Sequence, residues 1–265
     1  GVTGRSSGGV FTITETPSVS GTFNYTVTTT GTCTQTSASG SITVNPVATI
    51  SRTSAAGTDA QTLCANTAIT NITYAVGGGG TGAGVTGLPT GVTGSFSGGV
   101  FTISGIPGLA TSGVYTYTVT TTGTCTQTSA SGTITVNPVA TISRTSAAGT
   151  DAQTLCATVA ITNITYAVGG GGTSAGVTGL PSGVTGNFSG GVFTISGTPA
   201  AGTSGVYSYT VTTSGTCTQT TATGSITVNP VATISRTSAA GTDAQTLCQN
   251  TAIANITYAV GGGGA

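Results

Sequence analysis

The chain has 265 residues, of which four are arginine and four are acidic, giving zero net charge with no histidine, methionine or tryptophan. That balance offers neither a basic stripe for phosphates nor an acidic patch for cations, which excludes nucleic acid as a partner. Apolar residues make up 36% of the chain, too many for the disorder that low complexity would otherwise permit.

Threonine supplies 64 positions and glycine 45, a composition of strands punctuated by turns. No apolar run is long enough for a membrane-spanning helix, and no signal peptide is recognisable. The dominant signal is self-similarity at a fixed period, the mark of one folding unit strung into an array. Residues 47–138 recur as residues 139–230 with 14 of 92 positions changed. Residues 1–46 match the C-terminal part of the unit and residues 231–265 its N-terminal part, so the stretch reads as a piece of a longer array.

In chain order, the first complete unit opens on residues 48–51, a short strand after Asn45-Pro46. Proline removes a ladder donor and holds the preceding residue extended. Asn-Pro, which recurs at Asn137-Pro138 and Asn229-Pro230, therefore reads as a seam between domains, and the lack of a flexible spacer there limits bending. Residues 52–60 form a loop. Residues 61–64 and 68–76 are strands rich in branched side chains. Gly77, Gly78, Gly79 and Gly80 interrupt them, which implies a turn or a close backbone approach. Residues 85–89 and 91–94 are short extended pieces. Residues 99–104 alternate as a strand, residues 105–108 turn the chain, and residues 113–122 place Tyr115, Tyr117 and Val119 on one face. Residues 133–136 close the unit. About seven short strands bounded by turn residues, with no helical periodicity, predict an all-β chain of sandwiches.

Residues 87–107 (GLPTGVTGSFSGGVFTISGIP), 115–125 (YTYTVTTTGTC) and 131–138 (SGTITVNP) resemble the Ig-like, PKD-like repeats of giant bacterial cell-surface adhesins of the Bacteroidota type. The resemblance covers essentially the whole array. It implies tandem Ig-like β-sandwich repeats of 92 residues, end to end and outside the cell, and it brings no catalytic residue with it.

Six cysteines alternate at spacings of 31 and 61 residues. Without histidine or a CxxC pair, they read as disulfides in an oxidising compartment rather than as zinc ligands. One pairing joins Cys64 to Cys125 and Cys156 to Cys217 within each unit, leaving Cys33 and Cys248 to pair beyond this stretch. The alternative joins Cys33 to Cys64, Cys125 to Cys156 and Cys217 to Cys248 across the seams. Loop-closure entropy does not separate them, since each loop is worth about 4 kcal/mol. The within-unit pairing is preferred because a small sandwich gains most from stapling its own core.

Asp59, Asp151 and Asp243 occur once per unit, in GTDAQT. A calcium cage needs several converging carboxylates, so these read as turn residues pairing with an arginine of the same loop, such as Arg52. The abundant hydroxyls have no base to activate them and Glu15 has no counterpart in the later copies, so no enzyme, no cofactor and no metal is expected. Most of the eight tyrosines recur at alternate strand positions, which favours core packing over stacking on sugars. The tetraglycine lacks the lysine and helix of a phosphate loop. Asn71-Ile72-Thr73 matches a glycosylation sequon but falls inside a predicted strand. The absence of lysine rules out an internal isopeptide link.

The expected role is structural: an extracellular stalk or filament at a bacterial surface. Its partners are further copies of the repeat, head to tail, with lateral self-association of a surface that lacks charge repulsion. The alternative is a module that binds surface glycans or proteins through its loops. The most divergent of these is residues 106–110 (IPGLA) against residues 198–202 (TPAAG).

Overall fold

The computed structural model describes residues 1–263. The chain divides into two compact units, with the boundary between Asn137 and Pro138. In the first, residues 1–46 form two hairpins, β1 (Thr3–Ser7) with β2 (Val10–Thr14) and β3 (Gly21–Thr28) with β4 (Ser37–Val44). A complete repeat follows as β5 (Ala48–Arg52), β6 (Ala60–Cys64), β7 (Ile72–Gly78), β8 (Gly80–Thr86), β9 (Val92–Ser97), β10 (Val100–Gly105), β11 (Gly113–Gly123) and β12 (Ser129–Asn137). The second unit repeats that plan as β13 (Ala140–Arg144), β14 (Ala152–Cys156), β15 (Ile164–Gly170), β16 (Gly172–Thr178), β17 (Val184–Ser189), β18 (Val192–Gly197), β19 (Gly205–Gly215) and β20 (Thr221–Asn229). It then adds the hairpin of β21 (Thr233–Arg236) with β22 (Tyr258–Gly261).

Each complete repeat is a sandwich of two four-stranded sheets, ordered β5-β7-β10-β9 and β6-β12-β11-β8 in the first copy. The first reads as strands A-B-E-D and the second as G-F-C with an added parallel strand at the G edge, the order of an immunoglobulin-like domain. The parallel pairing runs from Ala60 opposite Thr133 to Cys64 opposite Asn137. Side chains alternate along each strand, so every second residue points between the sheets. Ile72, Tyr74, Phe101 and Ile103 come from one sheet and Tyr117, Val119, Ile134 and Val136 from the other, all buried. The chain is therefore all-β, built of tandem Ig-like sandwiches.

Three elements differ from the expectation. The repeat has eight strands, because residues expected to be a glycine break and a loose extended piece form β8. It carries few side chains of strand preference and exists because β11 pairs with it, Thr118 opposite Thr86 through Thr122 opposite Gly82. Strand β7 begins at Ile72 rather than at residue 68. The segment before it is held by Gln61, whose amide donates to the carbonyls of Thr58 (2.6 Å) and Thr70 (2.8 Å) and whose Oε1 accepts from the Thr70 N–H (2.8 Å). Strand β12 starts four residues earlier than expected, at Ser129, as the return arm of the hairpin with β11.

The tetraglycine is a close approach, as its composition implied. Gly79 N–H donates to the Val47 carbonyl at 3.0 Å, and a Cβ on Gly79 would collide with the carbonyl of Pro46. Glycine thus lets the backbone that follows Asn45-Pro46 lie against the sandwich it enters, and Gly171 does the same for Pro138. Gly79→Ala is expected to lower the stability of the first repeat by more than about 1 kcal/mol, read from its urea midpoint. Gly84→Ala, where a Cβ meets open space, is expected to stay within about 0.5 kcal/mol of the parent.

Candidate functional site

Two buried hydroxyls of each repeat meet in its core. Tyr74 on β7 and Tyr117 on β11 point inward from opposite sheets, and their hydroxyls meet at 2.9 Å with both side chains buried. Tyr166 and Tyr209 repeat the contact at 2.9 Å. The residue paired with Tyr117 on β12 is Gly132, where a Cβ would strike the Tyr117 hydroxyl and the Asp59 carbonyl. Burial raises the Tyr117 phenol well above its ordinary value. The hydrogen bond to Tyr74 and the charge of Asp59 push the same way, and Arg52 opposes them. The Tyr117 phenol thus stays neutral, and its contact with Tyr74 is a hydrogen-bonded tie between the sheets.

At the rim of this core, Arg52 Nη1 meets Asp59 Oδ1 at 2.8 Å, and Arg144 meets Asp151 at 2.7 Å. Arg236 and Asp243 pair in the same way. Arg52 Nη1 also donates to the Ala55 carbonyl at 2.7 Å, and the Asp59 main-chain carbonyl accepts from Thr133 N–H at 2.7 Å. The aspartate therefore closes its own loop, as the sequence implied. The pair is about one-third exposed and contributes less than about 1 kcal/mol. Among the described residues no three His, Cys, Asp or Glu side chains come together to hold a metal.

The tyrosines of the complete repeats are buried or half-buried. Tyr115 and Tyr207 turn their hydroxyls onto the carbonyls of Ser112 and Ser204. Neither complete repeat presents an exposed aromatic face for a sugar. The turn at residues 106–110 exposes Ile106 and Leu109, where the second copy has Thr198 and Ala201. Its backbone is the same in both, with Pro107 and Pro199 each accepting a hydrogen bond from the residue after the buried alanine of the preceding loop. Asn71 is exposed and stands one residue before β7, not within a strand.

The preferred cysteine pairing does not fit this geometry. Cys64 ends β6 opposite Asn137, at the last residue of β12, whereas Cys125 lies in the turn before β12 begins. The nine residues of β12 separate those two ends by roughly 25 Å, and a disulfide needs Cα atoms within about 7 Å. Cys156 and Cys217 occupy the equivalent opposite ends of their sandwich, Cys156 opposite Asn229 and Cys217 in the turn before β20. Cys33, Cys125, Cys156 and Cys248 are free thiols, so the pairing across the seams is not formed either. Cys64 and Cys217 are the disulfide-bonded cysteines. Each repeat thus carries one cysteine at either pole: Cys125 Sγ lies 3.6 Å from the Asn45 carbonyl, and Cys64 precedes Ala65, whose N–H donates to Asn137 O at 2.9 Å. Sequence spacing gave no sign of these poles, and it placed the tyrosines in the core without joining them.

No protein-family model matches the chain, and no curated protein does. Among solved structures it is similar to an I-band fragment of titin, at 12% identity over 71% of this chain with a TM-score of 0.42. The chain spans 65% of that fragment's length. It is also similar to an endo-fucoidan hydrolase of glycoside hydrolase family 107, at 17% identity over 87% of this chain and 37% of that one, with a TM-score of 0.30. Likeness at this level concerns the fold alone.

Tyr117→Phe leaves the Tyr74 hydroxyl buried without its partner. It is expected to cost the first repeat about 1–3 kcal/mol, measured by urea unfolding, while Tyr74→Phe with Tyr117→Phe together cost less than either alone. Non-reducing peptide mapping is expected to recover no peptide joining Cys64 to Cys125, identified by fragments that reach Asn66 on one side and Thr116 or Thr133 on the other, where the other copies differ.

Proposed function

We propose that this chain is a structural module: a length of an extracellular stalk or filament of the adhesin type at a bacterial surface, in which copies of the repeat add reach. One observation carries the reading. The two complete repeats differ at only 14 of 92 positions, and every polar constellation they share holds the repeat together: the tyrosine tie, the arginine–aspartate loop and the glycine seat for the seam. None of these is an accessible reactive group, which supports a non-enzymatic role.

The disulfide-bonded state of Cys64 and Cys217 supports an oxidising setting, and the sequence resemblance supports an adhesin-type surface location. Zero net charge removes long-range repulsion between neighbouring arrays, which supports lateral self-association. A second reading, a glycan- or protein-binding module, rests on the exposed Ile106 and Leu109 in the turn that diverges most between copies.

Small-angle scattering on chains with two, four and six complete repeats separates the readings. A structural stalk is expected to lengthen by a constant increment of about 30–40 Å per repeat, the length of a strand such as β11. Increments that shrink with copy number would sink it. Glycan binding by the parent chain that Leu109→Ala abolishes would establish the second reading.

A further inference from the structure

One motif of the sequence has no part in holding the repeat together. Asn-x-Ser/Thr, the acceptor pattern for an N-linked glycan, is common in a threonine-rich chain, and the complete repeats contain it at Asn71, Asn163 and Asn187. The structure separates these occurrences. Asn187 lies within β17, opposite Thr194 of β18. Asn71 and Asn163 stand exposed, each one residue before a strand, β7 and β15. Neither makes a main-chain or side-chain hydrogen bond among the described residues. The predicted strand that spoke against this sequon therefore begins one residue too late to enclose it.

The remaining asparagines of the complete repeats are in use. Asn66 holds a positive φ of 62° and donates its N–H to the Pro107 carbonyl at 2.8 Å. Asn137 and Asn229 end β12 and β20, where their carbonyls accept from Ala65 and Ala157 at 2.9 Å. Asn71, by contrast, is only presented. Gln61 fixes Thr70 on one side of it, and the ladder of β7 with β10 fixes Ile72 on the other. Gln153 and β15 with β18 do the same around Asn163. Ile72 is fully buried, so Asn71 and Thr73 on either side of it face outward together, the two side chains by which the motif is defined. The cross-strand neighbour of Thr73 is Thr102, and beyond that on β9 is Ser95, so the face beside the acceptor carries short uncharged side chains.

We propose that Asn71 and Asn163 are modification sites, each carrying an N-linked oligosaccharide on the outer face of the sheet that holds β7 or β15. The donor is an oligosaccharide carried on a lipid pyrophosphate. The asparagine Nδ2 forms a bond to C1 of the first sugar, the bond from C1 to the pyrophosphate oxygen breaks, and the lipid pyrophosphate leaves with that electron pair. The amide proton passes to a base of the transferase, and nothing is oxidised or reduced. One bulky hydrated group then stands at the same place on each repeat, which directs side-by-side contact to the other faces. The inference rests on the exported setting proposed above. It fails separately from the stalk reading, since a chain without sugar still lengthens by the same increment per repeat.

Glycopeptide mapping of the chain from its native cells, by mass spectrometry with fragmentation that keeps sugars attached, tests it. Fragments that include Asn66 or Thr158 tell the two copies apart. The Asn71 and Asn163 peptides are each expected to carry one oligosaccharide, and the Asn187 peptide none. Asn71→Gln, made in the same cells, is expected to lose the addition from its own copy and keep it on Asn163. Asn71 makes no bond that the fold needs, so this variant is expected to keep the parent's urea midpoint. The proposal is overturned by bare Asn71 and Asn163 in the native chain. Added mass that stays on the fragment after Asn71→Gln, which a hydroxyl-linked sugar would give, or equal occupancy of Asn187, overturns it as well.

Discussion

Two sheets that face each other across an apolar core need something directional to fix them, since hydrophobic contact holds them together without choosing a register. Antibody domains use a disulfide between strands B and F at this place. Here the same two strands meet through the hydroxyls of Tyr74 and Tyr117. A hydrogen bond in a dry interior is strong when made and expensive when broken, so it specifies one arrangement of the sheets. Much else follows from the space it takes. Gly132 has no side chain because the Tyr117 hydroxyl and the Asp59 carbonyl fill that space, and the Asp59 loop is held against β12 by the bond from Thr133. With the sheets tied by phenols, the cysteines of the complete repeats stand at the ends of the sandwich and not between strands B and F.

What was legible in the sequence is what neighbouring residues decide. Alternating branched and aromatic residues gave β7, β10 and β11, and the arginine–aspartate pairing was readable because both residues sit in one short loop. The partial copy at residues 231–263 separates local from long-range causes. There Arg236 still pairs with Asp243 and Gln245 still bonds the main chain of Ala254, with no second sheet to support them. Strand β8 was not legible, because its glycines carry no strand signal and β11 alone orders them. The cysteine geometry was hidden for the same reason: a spacing of 61 residues says nothing about which end of a sandwich each residue reaches. The tyrosines were placed in the core by their alternation, but their meeting depends on how one sheet faces the other.

The outer faces carry threonine where many β proteins carry lysine or glutamate. Thr53 and Thr73, and Thr145 and Thr165, pair their hydroxyls across neighbouring backbone at 2.8 Å, satisfying one another instead of recruiting charge. Sheet edges in most soluble proteins are guarded by charged side chains that discourage pairing with another chain. Strand β8 and strand β9 form edges here with no charged residue between them. Along such edges salt has little to screen.

The parallel run of β6 beside β12 has a mechanical meaning. The chain enters the sandwich near Ala48, next to the turn at Thr126, and leaves at Asn137, at the far end of β12. Tension applied through the backbone therefore slides these strands lengthwise past each other, and the five register pairs from Ala60–Thr133 to Cys64–Asn137 resist together. A hairpin pulled open from its free ends would instead yield one pair at a time. The patch that joins the entering segment to the leaving strand is thus one whose bonds share the load, and the rate at which the domain gives way under pull is set by breaking the set at once.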